Sequence, residues 1–327
     1  MTKIIGFLLV FICLGASTFA CRSNNLNDYV WNEVTKSAAY PQGYGYPVFV
    51  MNGEVWALHH NGGWISKDGK NWTKTNLPDV GLNSAYQKYV QFKEAIYALG
   101  TMQGNYTNMK LTSKISRTRD FKTWETLAEK SNLPERVFYS AFVFKDKIWL
   151  AGGWDGKNYH NDVWNSDDGV NWRRAAEKTA WTPRTARVVV FKDKLWLLGG
   201  GVIDGDKVTN PNAGREVWSS NDGINWTEEK INSPGQIGGT PIVFDDKLWL
   251  VGANRNDGRF DSALYVSGDG INWQRQSAPW TPRGAVAVWV FGDRLYMTGG
   301  KYSYNEPNGE IKFVYNNDVW AMSRKTE

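Results

Sequence analysis

The sequence predicts an all-β fold: a six-bladed propeller with four antiparallel strands per blade, its ring closed by the N-terminal strand. Three observations carry this. A short apolar-aromatic strand recurs six times, each copy behind a tight polar turn. A second turn, Ser-x-Asp-Gly-x-Asn-Trp in its fullest form, recurs downstream of most copies. The sixth copy runs out of chain before its closing Trp, and the missing strand stands at the other end of the sequence.

The recurring strand reads Val55-Trp56-Ala57-Leu58, Ile96-Tyr97-Ala98-Leu99, Ile148-Trp149-Leu150-Ala151, Leu195-Trp196-Leu197-Leu198, Leu248-Trp249-Leu250-Val251 and Leu295-Tyr296-Met297-Thr298. Before each lies a turn such as Lys145-Asp146-Lys147, and before that another apolar run, for example Val188-Val189-Val190-Phe191. Two continuous apolar runs joined by a tight turn make a hairpin of two buried strands. A third strand follows and leads into the second turn, as in Val163-Trp164 to Asn171-Trp172, Val217-Trp218 to Asn225-Trp226 and Leu264-Tyr265 to Asn272-Trp273. Asp-Gly suits such a turn because Gly tolerates positive φ. The closing Trp is expected to begin the fourth strand. Repeat two is degenerate, with Asp120-Phe121-Lys122-Thr123-Trp124 in place of the Asp-Gly form.

Units of roughly 50 residues with four strands have the size of a propeller blade. In the sixth, Trp320 is the third-strand aromatic, and the fourth-strand Trp would fall just past the last residue. Val30-Trp31-Asn32-Glu33-Val34 followed by Ala39-Tyr40-Pro41 echoes Asn171-Trp172-Arg173-Arg174 followed by Ala180-Trp181-Thr182-Pro183. The N-terminal strand can therefore complete the last blade and remove the exposed sheet edges.

Composition fits. The 327 residues carry 42% hydrophobic and 22% charged side chains, enough for a core and against disorder. Two Cys and three His are too few for a disulfide framework, a Cys/His zinc site or an iron–sulfur cluster, and no cofactor is expected. A charge of +5 without clustering gives nucleic-acid binding no support. Of the 18 Trp, 17 take repeat positions or blade junctions and only Trp154 has none.

With Gly152-Gly153, Gly199-Gly200 and Gly299-Gly300 ending second strands, Trp opening fourth strands, and Pro183-Arg184 and Pro282-Arg283 preceding first strands, the chain resembles the kelch-repeat propellers. That family includes the central domain of galactose oxidase. The resemblance covers residues 29–327, with departures at His59-His60 and Gly252-Ala253, where a double glycine is expected. It implies the propeller fold but not the oxidase's copper chemistry, which needs a Tyr–Cys cross-link. The Asp-Gly turn is similar to the Asp-box of sialidases but one residue shorter, and is read as structural.

The N-terminus reads as an export signal over residues 1–20: Met1-Thr2-Lys3, an apolar run Ile4 to Ala16, then small residues before Cys21. Two processing routes fit. Thr18-x-Ala20 suits ordinary signal peptidase, which leaves a secreted chain. Cys21 followed by Arg22-Ser23-Asn24-Asn25 resembles a bacterial lipoprotein, with Cys21 the lipidated residue and residues 21–28 a tether. Either route places the protein in the bacterial envelope, with membrane contact only through that lipid. A monomer is expected.

Strand order puts the loops after the second and fourth strands on one face, and the short uniform turns on the other. Length variation sits in the first set: Met102 to Lys110, Trp154 to Asn161, Val202 to Gly214, Asn254 to Asp261 and Lys301 to Lys312. Variable loops around a channel mouth are where binding is expected. Candidate ligand-binding residues are Trp154, Asp155 and His160, a flat ring beside a carboxylate suited to sugars. Arg255, Asp257 and Arg259 form a polar loop, and Tyr302 and Tyr304 an aromatic one. Arg184 and Arg283, with Arg136 and Arg187, enter near the axis, where guanidinium groups could grip a carboxylate.

No nucleophile elbow or phosphate loop is present. The leading expectation is a non-enzymatic binding module for a glycan or a protein partner. The alternatives are a carbohydrate-acting enzyme similar to the kelch-like sialic acid mutarotases, using charged residues at the channel mouth, and an envelope structural or assembly protein.

Overall fold

A computed structural model describes residues 26–59, 62–77, 87–104, 108–204, 207–208, 216–235, 238–254 and 260–325. After one 3-10 turn, Leu26–Asp28, the chain enters strand β1 (Tyr29–Thr35). Blade 1 follows as β2 (Val48–Met51), β3 (Glu54–His59), β4 (Gly62–Ser66) and β5 (Thr73–Thr75). Blade 2 is β6 (Lys88–Phe92), β7 (Ala95–Gln103), β8 (Lys110–Thr118) and β9 (Glu125–Ala128). Blade 3 is β10 (Ser140–Phe144), β11 (Lys147–Ala151), β12 (Val163–Ser166) and β13 (Arg173–Ala176). Blade 4 is β14 (Val188–Phe191) and β15 (Lys194–Leu198), a two-stranded ribbon of β16 (Ile203–Asp204) and β17 (Lys207–Val208), then β18 (Val217–Ser220) and β19 (Thr227–Glu229). Blade 5 is β20 (Thr240–Phe244), β21 (Lys247–Asn254), β22 (Phe260–Ser267) and β23 (Trp273–Ser277). The last stretch holds β24 (Ala287–Phe291), β25 (Arg294–Thr298), a ribbon of β26 (Lys301–Asn305) and β27 (Ile311–Tyr315), and β28 (Val319–Arg324).

Six four-stranded sheets result, and the sixth runs β24-β25-β28-β1, so the N-terminal strand is the outer strand of the last blade. Tyr29 pairs with Arg324 and Glu33 with Trp320, antiparallel. The innermost strands β6, β10, β14, β20 and β24 touch in turn and β24 meets β2, while Trp56 and Leu58 pack on Ile96 and Phe121 at the remaining junction, so the ring is shut. Among the described residues there is no α-helix.

Six apolar clusters hold the blades together, one at each junction. Trp64 and Trp72 of blade 1 pack with Trp289, Tyr296 and Val319 of blade 6, and Trp56 and Leu58 pack with Ile96 and Phe121 of blade 2. The other four junctions repeat the arrangement. Each buried Trp removes roughly 150–250 Å² from water, on the order of 4–6 kcal/mol at about 25 cal/mol per Å². Most of the tryptophan content is therefore junction material.

The Asp-Gly turn works the same way in every copy. Asp168 Oδ1 accepts the backbone N–H groups of Val170 and Asn171, each at 2.8 Å, while Oδ2 accepts Asn171 Nδ2 at 2.7 Å. Asp68, Asp222 and Asp269 repeat the pattern. The degenerate copy keeps it too: Asp120 accepts from Lys122 and Thr123, with Thr123 Oγ1 in the place of the Asn amide. Each turn glycine lies under the second-strand aromatic of the preceding blade. A Cβ on Gly223 would stand 2.7 Å from Trp149, and one on Gly270 2.5 Å from Trp196. Phe121 takes the glycine's place at φ 58° and stacks on Trp56 at 4.7 Å.

One detail departs from expectation. In four blades the closing Trp precedes the fourth strand instead of beginning it. In two of these the indole N–H folds back onto the turn glycine's carbonyl: Trp172 to Gly169 O at 3.2 Å and Trp226 to Gly223 O at 3.1 Å.

Candidate functional site

The double glycines decide the shape of the loop face. In blades 3, 4 and 6 both residues have positive φ, which ends the second strand and lets the incoming loop of the next blade cross. A Cβ on Gly200 would stand 1.9 Å from the Thr185 carbonyl oxygen. In blade 5 only Gly252 is present; Ala253 resumes pairing after a register shift, and the hairpin of β21 and β22 grows longer. Blade 2 does the same after Gly100.

The axial arginines fall into two groups. Arg136 is buried against Asp162, with Nη1 2.5 Å from Oδ1 and Nη2 3.2 Å from Oδ2. Arg283 pairs with Asp318 at 2.5 Å and with Thr281 Oγ1 at 2.8 Å. Arg184 is 0% exposed and bonds Glu216 Oε2, Thr182 Oγ1 and the Thr182 carbonyl. Each acid lies just before the third strand of the same blade, and Asp162 and Asp318 also accept the indole N–H of the Trp two residues on. Burial alone would raise the Asp162 carboxyl, but the hydrogen bonds and charge of Arg136 outweigh it and hold the group below its ordinary value. The expectation that Arg184 and Arg283 grip a ligand is therefore corrected. Both are sequestered, and a ligand could reach them only by displacing their carboxylates.

Arg187 is different. Half-buried, it stands one residue before β14 and donates from Nη1 to the Gly239 carbonyl at 2.5 Å, with no carboxylate partner among the described residues. Lys88, the first residue of β6, is also half-buried and has no hydrogen bond or ion pair among the described residues. Burial, with Arg187 adding to it, lowers the Lys88 ammonium to about 8. The sequence reading missed Lys88. Aligning the six inner strands would have shown it with Arg187 as the two cations at one equivalent position.

In blade 3, Trp154 bridges Val137 and Tyr159 through the backbone. Its ring lies between Phe138, 6.4 Å away at 29°, and Tyr159, 6.3 Å away at 30°. All three are half-buried, so the stack has both a packing role and an open side. Asp155 turns the loop by accepting the N–H groups of Lys157 and Asn158 on Oδ1, and its Oδ2 lies 2.8 Å from His160 Nε2. Burial works to raise the Asp155 carboxyl, but those amides and His160 together hold it low. His59, in blade 1, packs against Tyr46 and Trp64 and does not meet His160.

Tyr302 and Tyr304 lie on the ribbon of β26 and β27, with ring centres 6.5 Å apart. This ribbon is the most apolar exposed part of the described molecule. Of the exposed large hydrophobics, Tyr304 (46%), Ile311 (51%), Phe313 and Tyr315 belong to it, and Tyr44 stacks on Tyr315 at 5.6 Å. Lys301 Nζ lies over two of these rings, 4.4 Å from the centre of Tyr44 and 4.9 Å from that of Phe313. Arg255, Asp257, Arg259 and Cys21 lie outside the described residues. A cavity of about 650 Å³ lies in blade 2 between Gln87, Thr101, Lys110, Thr112 and Glu135.

These features define a β-propeller with an aromatic loop face. Residues 4–244 match the family described as the DUF6242 β-propeller domain, and the chain belongs to that family. In fold it is similar to YjhT, with a TM-score of 0.65 at 15% identity over 88% of this chain and 96% of that one. No curated protein matches the sequence.

Proposed function

We propose that this propeller is a non-enzymatic binding module that takes a glycan or a protein partner on its variable-loop face. The aromatic ribbon carries the reading. Tyr304, Ile311, Phe313 and Tyr315 stand in water on a two-stranded arm that pairs with no blade. Exposed apolar rings grouped this way match a stacking surface for sugar faces or a partner's apolar residues. Trp154 and Tyr159 supply a second aromatic surface on the same face. The kelch-type repeat and the export signal with Cys21 belong to the same reading: a receptor-like domain in the bacterial envelope.

A second reading, a carbohydrate-acting enzyme, draws on one observation, the Asp155–His160 pair at 2.8 Å, which is an acid–base couple beside an aromatic ring. One set of measurements separates the two. The wild type and a Tyr304→Ser/Phe313→Ser variant are titrated with neutral and acidic oligosaccharides by calorimetry, and hits are followed for turnover. Binding without turnover that weakens at least tenfold in the variant supports the module. Turnover lost in Asp155→Asn supports the enzyme. Unchanged binding in the ribbon variant rules out the ribbon as the binding surface.

A further inference from the structure

The residue facing the fourth position of each second-strand motif is Pro47, Lys88, Ser140, Arg187, Thr240 or Ala287 in blades 1 to 6. Backbone pairing fixes the set: Pro47 O accepts Leu58 N–H and Arg187 O accepts Leu198 N–H, while Lys88 faces Leu99, Ser140 faces Ala151, Thr240 faces Val251 and Ala287 faces Thr298. These six form one layer around the axis, at the loop-face end of the innermost strands. The layer has two cations and no acid. The other four members are small or ring-closed, none longer than Thr.

Three layer members spend their polar atoms on the next blade. Ser140 Oγ accepts the Val188 N–H at 3.0 Å, Thr240 Oγ1 donates to Val286 O at 3.0 Å, and Arg187 donates once to Gly239 O. Lys88 donates to nothing among the described residues. Lys88 and Arg187 belong to blades 2 and 4, on either side of Ser140 in this layer, and the Arg187 charge adds to burial in lowering the Lys88 ammonium. Like charges held this way in a partly dry space repel, and a bound anion is what would relieve both.

We infer that the channel binds an oxyanion between Lys88 and Arg187, either free or as the acid group of a ligand entering from the loop face. A planar guanidinium and an ammonium held in one layer offer two kinds of donor to a carboxylate, sulfate or phosphate group. The site is independent of the aromatic ribbon, and neither reading depends on the other.

The test uses the full propeller and three probes: sodium sulfate, glucuronate and glucose, each against sodium chloride at matched ionic strength. The wild type is expected to bind sulfate by calorimetry and to rise in Tm with it. Lys88→Gln and Arg187→Gln are expected to weaken sulfate at least tenfold, and Lys88→Arg to stay within threefold of wild type. Lys88→Gln should unfold at the same or a higher temperature than wild type without ligand, because a repulsion has been removed; if Arg187→Gln does not fold, Lys88→Gln decides alone. Glucuronate at least tenfold tighter than both sulfate and glucose identifies an acid group carried on a sugar. Glucuronate no tighter than sulfate identifies a free-anion site. No response to sulfate or glucuronate in the wild type, or equal affinity in wild type and Lys88→Gln, overturns the inference.

Discussion

Replacing Asp162 with Asn tests what holds the loop face rigid. The substitution keeps the shape of the side chain and the acceptor for Trp164 but removes the negative charge under Arg136, whose side chain is 6% exposed. A buried charge that loses its partner costs about 3–5 kcal/mol, and ~4 kcal/mol is roughly a thousandfold in the folding equilibrium. The double variant Arg136→Met/Asp162→Leu removes both charges. It leaves only the Gly152 carbonyl and the Trp164 indole N–H unpaired, at about 1–3 kcal/mol each. The double variant should therefore be destabilised by clearly less than the sum of Asp162→Leu and Arg136→Met, with a coupling of at least about 2 kcal/mol. Urea unfolding followed by tryptophan fluorescence measures the wild type and the four variants. The sign with pH is fixed: the folded carboxyl is held below its unfolded value, so its contribution is present above about pH 4 and is lost as pH falls through the folded value. A cost below about 1 kcal/mol for Asp162→Asn, or additive single variants, would refute the argument.

Gly223→Ala should cost ~2–4 kcal/mol in urea unfolding, since it combines positive φ with a Cβ pressed on Trp149. Gly53→Ala, at φ 74° with nothing nearby, should cost only ~1 kcal/mol; equal losses at the two sites would show that the contact is not what constrains the turn. Asp222, despite burial that works to raise it, is held at about 2 by Asn225 and the Ile224 amide. Its contribution is present above about pH 4 and lost toward pH 2, so Asp222→Asn should lower stability at pH 7 and flatten the acid-unfolding curve. Tyr29→Ala should cost ~3–5 kcal/mol and Tyr29→Phe ~1 kcal/mol, read by thermal unfolding, because the ring packs edge-on to Trp249 at 4.9 Å and the hydroxyl bonds Asp245. For Lys88, whose folded value of about 8 lies below the unfolded one, the cost of burying the charge, with Arg187 adding to it, is fully present below pH 8 and fades toward pH 10.5; Lys88→Gln should erase that rise in stability.

The fold was legible because the strand signals recur in every repeat and the turn signals in most. Apolar pairs, Asp-Gly turns and closing tryptophans each pointed to the same four-stranded unit, and even the displaced Trp31 announced ring closure. Local turn chemistry shows through in the sequence because it is made by neighbours, as at Asp168. The site was less legible because its partners are distant. Arg184 and Glu216 are 32 residues apart, and nothing local distinguishes Arg184, which is buried in a pair, from Arg187, which is not. Lys88 looks like an ordinary residue at a strand end until the ring brings Arg187, two blades away, into the same layer. The ribbon was partly visible through Tyr302 and Tyr304, whereas Phe313 and Tyr315 join them only once the strands pair.

The closing strand also orients the molecule. β1 runs from Tyr29 toward the loop face, and β28 runs the opposite way beside it, ending at Arg324. Lys325 N–H meets the Asp28 carbonyl at 2.8 Å, so both ends of the propeller leave side by side from the short-turn face. Anything that holds this domain by either end, whether a lipid, a linker or a neighbouring domain, must approach from beneath. The aromatic ribbon and the cationic channel layer lie on the opposite face, away from both ends.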